Sequence, residues 1–157
     1  MKRLLLLFTI ISALMHAQFE ITDSSDNWDK VGSAQAHTIL YQKKDKSRAK
    51  IQYRDFQNQS LNNMDYSYYE FEFSTQPDTL DKVYQILSDH FANKKEETVT
   101  LQFPEGKMMI EFARSFGLYY ALFRFEKNNT LIDKGDRSLK STGGMTEKHV
   151  KKLFGKT

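Results

Sequence analysis

Two carboxylates on one face of a strand are the nearest approach to a catalytic pair in this sequence. In Tyr69-Glu70-Phe71-Glu72-Phe73 the rings fall on one side and the acids on the other. The rise of an extended chain sets Glu70 and Glu72 about 7 Å apart, a spacing that could serve paired acid and base groups. The same acids could instead pair across strands with Lys50, Gln52 and Arg54, the polar face of the preceding segment, which is the commoner use of such residues.

Other chemistries find less support. His37, His90 and His149 lie far apart, and none stands in a metal-ligand spacing such as H-x-H or H-E-x-x-H. Ser141-Thr142-Gly143-Gly144 lacks both the nucleophile elbow and the lysine of a phosphate loop. There is no cysteine, which excludes disulfides, thiolate catalysis and cysteine-bound zinc. The sequence therefore implies no cofactor, no metal and no catalytic residue.

Surface recognition is better represented. Lys43, Lys44, Lys46, Arg48, Lys50 and Arg54 crowd one segment around Asp45, where they could meet an anionic ligand or simply keep a hairpin soluble. Aromatic residues make up 13% of the chain, and Tyr and Trp offer large rigid area with a polar tip, for a sugar ring or a protein partner. Alternation turns Tyr69 and Tyr119 inward and Tyr68 and Tyr120 outward. Tyr68, Tyr120, Arg54 and Arg124 are the candidate ligand-binding residues.

Period-two alternation positions these side chains. It marks strands at Tyr69 to Phe73, Val99 to Phe103, Met108 to Phe112 and Tyr119 to Phe125, with weaker ones at about 36 to 42 and 48 to 56. Pro104-Glu105-Gly106 and Ser115-Phe116-Gly117 read as tight turns, so residues 98 to 126 should form a three-stranded meander. Gln57 to Asp65 reads as a loop. One helical stripe interrupts the strands: Leu80, Val83, Tyr84, Leu87 and Phe91, behind Pro77 and Asp78. A short helix should follow at about 147 to 154, with Thr146 as N-cap, Met145 and Val150 as a staple and Gly155 as a left-handed stop. The polar stretch from Asp133 to Gly144 before it should be the most mobile interior segment.

The N-terminus carries a different signal. Lys2 and Arg3, a short apolar run from Leu4 to Met15, and Ala17 before Gln18 have the layout of a cleavable export signal. Roughly a dozen apolar residues are too few to span a bilayer, which takes about 20. Cleavage would remove two cations from a chain of 23 basic and 20 acidic residues, leaving it nearly neutral, so no nucleic-acid partner is indicated. The run Met145-Thr146-Glu147-Lys148-His149-Val150-Lys151-Lys152-Leu153-Phe154-Gly155-Lys156, with a leader ending in Ala17-Gln18, resembles small exported proteins of Bacteroidetes-type bacteria. That resemblance implies a compartment and no particular activity.

These features describe a leader over residues 1 to 17 and one α+β domain over 18 to 157. Its expected form is a single antiparallel sheet of about six strands, one long helix across a face and a short C-terminal helix. The expected function is a non-catalytic binding or interaction domain, periplasmic or secreted, acting on an unknown protein or small ligand of the cell envelope. A small hydrolase using carboxylates or a histidine is the alternative. Mass spectrometry of the exported protein should find its first residue near Gln18; an intact Met1 on a soluble product would contradict the leader.

Overall fold

The computed structural model describes residues 27–34, 37–54, 68–127 and 141–156; the leader expected over residues 1 to 17 and the loop expected at Gln57 to Asp65 lie outside the described residues. The described residues form seven strands and two helices. In chain order they are β1 (Trp28–Ala34), β2 (Thr38–Lys43), β3 (Arg48–Arg54), β4 (Tyr68–Ser74), α1 (Thr79–Asn93), β5 (Thr98–Phe103), β6 (Gly106–Ser115), β7 (Leu118–Lys127) and α2 (Glu147–Leu153).

The class is α+β as expected, but the strands do not form one six-stranded sheet. They form two antiparallel meanders, β1-β2-β3-β4 and β5-β6-β7, with α1 between them in sequence. Phenylalanine explains the division. The row Tyr53, Phe71 and Phe73 of the first sheet faces Phe103 and Phe125 of the second, with ring centroids 4.8 Å apart for Tyr53 and Phe125, 4.9 Å for Phe71 and Phe125, and 4.7 Å for Phe73 and Phe103. Stacking the sheets packs these rings against one another, whereas one flat sheet would leave a face to be covered by a helix of only 15 residues.

The first strand escaped the sequence pattern because of a register shift. A bulge between Lys30 and Gly32 breaks the alternation. Gly32 is needed there: a Cβ would stand 2.0 Å from the carbonyl oxygen of Lys152 and 2.6 Å from that of Leu153, so the end of α2 lies directly on the β1 backbone. Val150, Leu153 and Phe154 are buried in this contact, and Phe154 reaches Tyr84 of α1 at 5.8 Å between centroids.

Both helices form where the stripes require. Val83, Leu87 and Phe91 of α1 are buried, while Leu80 and Tyr84 pack at the margin of the core. Phe91 meets Phe112 and Tyr119 edge-on, at 6.1 and 5.5 Å. Helix α2 begins at Thr146 with a capping box closed by His149, and Gly155 at φ +64° ends it. The approach differs from the expected mobile linker, because Ser141 and Thr142 are buried and bond to β7: Thr142 N–H donates to the Phe123 carbonyl at 2.9 Å, and Met145 and Ala121 exchange backbone bonds at 2.8 Å. The polar residues Ser141 and Thr142 are held by a strand edge that periodicity alone cannot locate; residues 128–140 lie outside the described residues.

Replacing Leu87, which is fully buried, with alanine should cost about 2 to 5 kcal/mol. Gln85→Ala removes only an exposed bond to Asp89 and should stay within about 0.5 kcal/mol. Denaturant titration of the two variants measures both.

Candidate functional site

Because inward residues of β2, β3 and β4 fill the aromatic seam, their alternate residues make up the outer face of the four-stranded sheet. The register aligns them in rows: Arg54 opposite Tyr68, Gln52 opposite Glu70, Lys50 opposite Glu72, and Tyr41 opposite both Lys50 and, on β1, Lys30. Trp28 lies opposite Lys43 at the end of the β1-β2 pair. Among the described residues this face presents Lys30, Lys43, Arg48, Lys50 and Arg54 against Glu70 and Glu72 of β4, with a third carboxylate, Glu105, at its Arg48 end.

The cations are ordered by rings as well as by acids. The Lys50 ammonium sits 4.8 Å from the centre of Trp28 and 5.5 Å from that of Tyr41, and Lys43 stands 5.4 Å from Trp28. Each such contact is worth about 0.5 to 1 kcal/mol where water reaches it. The long lysine stems lie over the rings and leave positive charge at the surface. The outcome is a half-buried patch of tryptophan, tyrosine and lysine, extended by Arg54 and by Tyr68, which is 52% exposed. His37 lies 3.4 Å from the Tyr68 hydroxyl and completes that corner.

Glu70 and Glu72 are used for pairing. Lys50 approaches Glu70 at 3.6 Å, the Gln52 amide donates to Glu70 at 3.1 Å, and Arg48 meets Glu72 at 2.5 Å. Both carboxylates are thus spent on cross-strand pairing with β3. Arg48 also reaches Glu105, in the β5-β6 turn, at 3.3 Å, and Ser74 donates both its N–H, at 3.1 Å, and its hydroxyl, at 2.5 Å, to the same carboxylate. Burial alone would raise the Glu105 pKa, but the two Ser74 bonds and the Arg48 charge outweigh it and hold the carboxyl below its ordinary value. The second sheet is thereby tied to the end of the patch.

The four sequence-predicted residues do not share one surface. Arg54 and Tyr68 are cross-strand partners on this face. Tyr120 and Arg124 stand on β7, on the outer side of the other sheet. Arg124 is paired with Glu111 at 2.8 Å, and the Tyr120 ring lies under Gly144, where a Cβ would come within 2.9 Å of Cδ2. The chain returning along β7 half-covers that tyrosine. Trp28, Tyr41, Lys43 and Lys50 are the residues that sequence reasoning did not assemble: Lys43 and Lys50 were legible as a basic segment, but Trp28 belongs to the strand hidden by the bulge.

His90, one of the histidines weighed for a hydrolase, lies within reach of the Glu97 carboxylate. Its Nδ1 lies 2.7 Å from the Ile86 carbonyl and its Nε2 2.7 Å from Glu97, with the ring stacked on Phe112 at 4.3 Å. A hydrogen bond from Lys95 and a second from His90 keep the Glu97 carboxyl below its usual range. Both ring nitrogens lie against groups of the fold itself, the Ile86 carbonyl and the Glu97 carboxylate. The pair fastens the end of α1 to the residue that precedes β5. Among the described residues no group of three His, Asp or Glu could hold a metal ion, and no helix is long and apolar enough to cross a membrane.

No protein-family model matches this chain, and no curated protein or solved structure is detectably similar to it.

Glu105→Gln should cost about 1 to 3 kcal/mol at neutral pH, the range for a charge-assisted bond network. A lowered carboxyl pKa contributes stability that is full above the unfolded value and disappears as pH falls through the folded one. The gap between wild type and Glu105→Gln should therefore close as pH falls below the ordinary glutamate value of 4.5. Urea titrations at neutral and acidic pH test this; a gap that persists unchanged in acid would show that the charge is not its source.

Proposed function

We propose that this chain is an exported, non-catalytic binding domain that presents the outer face of β1 to β4 to an anionic partner, a protein or small ligand of the cell envelope. The observation that carries the reading is the Trp28, Tyr41, Lys43 and Lys50 patch, continuous with Arg54 and Tyr68. Ring faces and lysine stems supply apolar contact, and the excess of cations over carboxylates on this face supplies attraction on a chain that is nearly neutral without its leader. Export rests on the Lys2-Arg3 start, the short apolar run and the likeness to small exported proteins, and the candidate acids and His90 are all engaged in internal bonds.

Tyr68 and Tyr120 separate the two surfaces experimentally. Tyr68→Ala removes a ring that is half in water and should leave the melting temperature in place, yet weaken the partner recovered from the envelope fraction by roughly thirtyfold, the effect of about 2 kcal/mol at a hot spot. Charge reversal at Lys43 and Lys50 should abolish recovery, and raising salt should weaken it in the wild type. Tyr120→Ala should leave binding intact while lowering stability, because it empties the contact beneath Gly144. Recovery that survives the Lys43 and Lys50 reversals would eliminate this face as the binding surface.

A further inference from the structure

A sheet edge displays unpaired N–H and C=O groups and will template another strand unless charge, a bulge or a covering segment prevents it. The two sheets have edges at β1, β4, β5 and β7. Three of the four carry such a device. Strand β1 has Asp29, Lys30 and the bulge, with the end of α2 lying over Gly32. Strand β4 has Glu70 and Glu72, and its last residue, Ser74, is bonded by Glu105. Strand β7 is covered by residues 141 to 145, which pair with it at Ala121 and Arg124.

Strand β5 has none of these. Its six residues, Thr98-Val99-Thr100-Leu101-Gln102-Phe103, include no charge, glycine or proline and are dominated by β-branched and apolar types. Among the described residues its backbone pairs with β6 on one side and with no strand on the other. Its inward residues Val99, Leu101 and Phe103 remain partly exposed, whereas the inward residues of β6 beside them, Met108 and Ile110, are buried. The core is thus unfinished along this edge.

We infer that β5 pairs antiparallel with β5 of a second copy of this chain, joining two three-stranded sheets into one of six strands. The sequence of the strand selects that occupant. A two-fold centred on Thr100 sets Thr98 against Gln102 and Val99 against Leu101; one centred on Leu101 sets Thr100 against Gln102 and Val99 against Phe103. Either register matches polar with polar and apolar with apolar, and neither brings like charges together. Self-pairing of β4, in contrast, would bring together strands that both carry Glu70 and Glu72. The ladder would run about 20 Å, from six residues at about 3.3 Å each, and would extend the Val99 and Leu101 row with its own copy.

Sedimentation of the purified protein should show a monomer at low micromolar concentration and a growing dimer fraction toward the millimolar range, as a small interface requires. The double variant Thr100→Lys and Gln102→Lys places lysine opposite lysine in both registers and should weaken association at least about tenfold. Mixing it with the Thr100→Glu and Gln102→Glu chain should restore the dimer. Amide exchange at Val99 to Gln102 in the wild type should slow with concentration, a readout independent of how the variants fold. A protein that stays monomeric throughout, a dimer that the lysine pair leaves unchanged, or an edge that pairs only with an extended segment of another protein would each overturn the inference.

Discussion

The contact between the rings of Tyr53, Phe71 and Phe73 and those of Phe103 and Phe125 governs the architecture. Each meander has a single apolar face, and each would be unstable with that face in water. Pressing the faces together buries Phe71, Phe73 and Phe123 almost completely, and offset ring packing adds roughly 0.5 to 1.5 kcal/mol per pair beyond the area removed from water. Because side chains alternate strictly along a strand, committing one face to the seam commits the other to solvent. The outer patch of lysines and aromatics is therefore a consequence of how the core is filled.

The seam also determines what the helices do. Helix α1 covers the part of the second sheet that the first does not reach, at Phe112 and Tyr119, and α2 fills the gap over β1 and β2. Hydrogen bonds then fix the ends. His90 and Glu97 hold the α1 terminus to the start of β5, the Tyr119 hydroxyl donates to the Lys95 carbonyl, and the Lys156 ammonium meets Asp81 at 2.7 Å. His90, which the sequence offered as a candidate for catalysis, serves here as a joint between elements. Exposed joints such as Lys156 with Asp81 contribute little individually, since water and salt screen them; His90, stacked against Phe112 and mostly enclosed, contributes through packing as well.

One local feature runs against the general economy of the fold. The β6-β7 hairpin turns through Phe116 and Gly117 at φ +48° and +77°, a turn in which glycine, asparagine and aspartate are preferred. Phe116 occupies a left-handed conformation with its ring fully in solvent, beside the largely exposed Leu118. A left-handed bulky residue costs about 1 kcal/mol or more, and the ring recovers none of it through packing. The tip opposes both turn preference and burial.

Local order was legible in the sequence because it depends on neighbours a few residues apart. Alternation located β2 to β7, the stripe from Leu80 to Phe91 located α1, and Thr146 with Gly155 bounded α2. The pairing of Glu70 with Lys50 and Gln52 followed from alternation plus adjacency of two strands. What no local pattern contains is the meeting of residues distant along the chain: the separation into two sheets, the β1 bulge whose glycine answers to the carbonyls of Lys152 and Leu153, and the return of Ser141 to Met145 along β7. For the same reason Arg54 and Tyr68 came together while Tyr120 and Arg124 went to another surface. Periodicity assigns each side chain to a face, but which face meets which is decided by the volumes that fit between them, and that belongs to the tertiary structure.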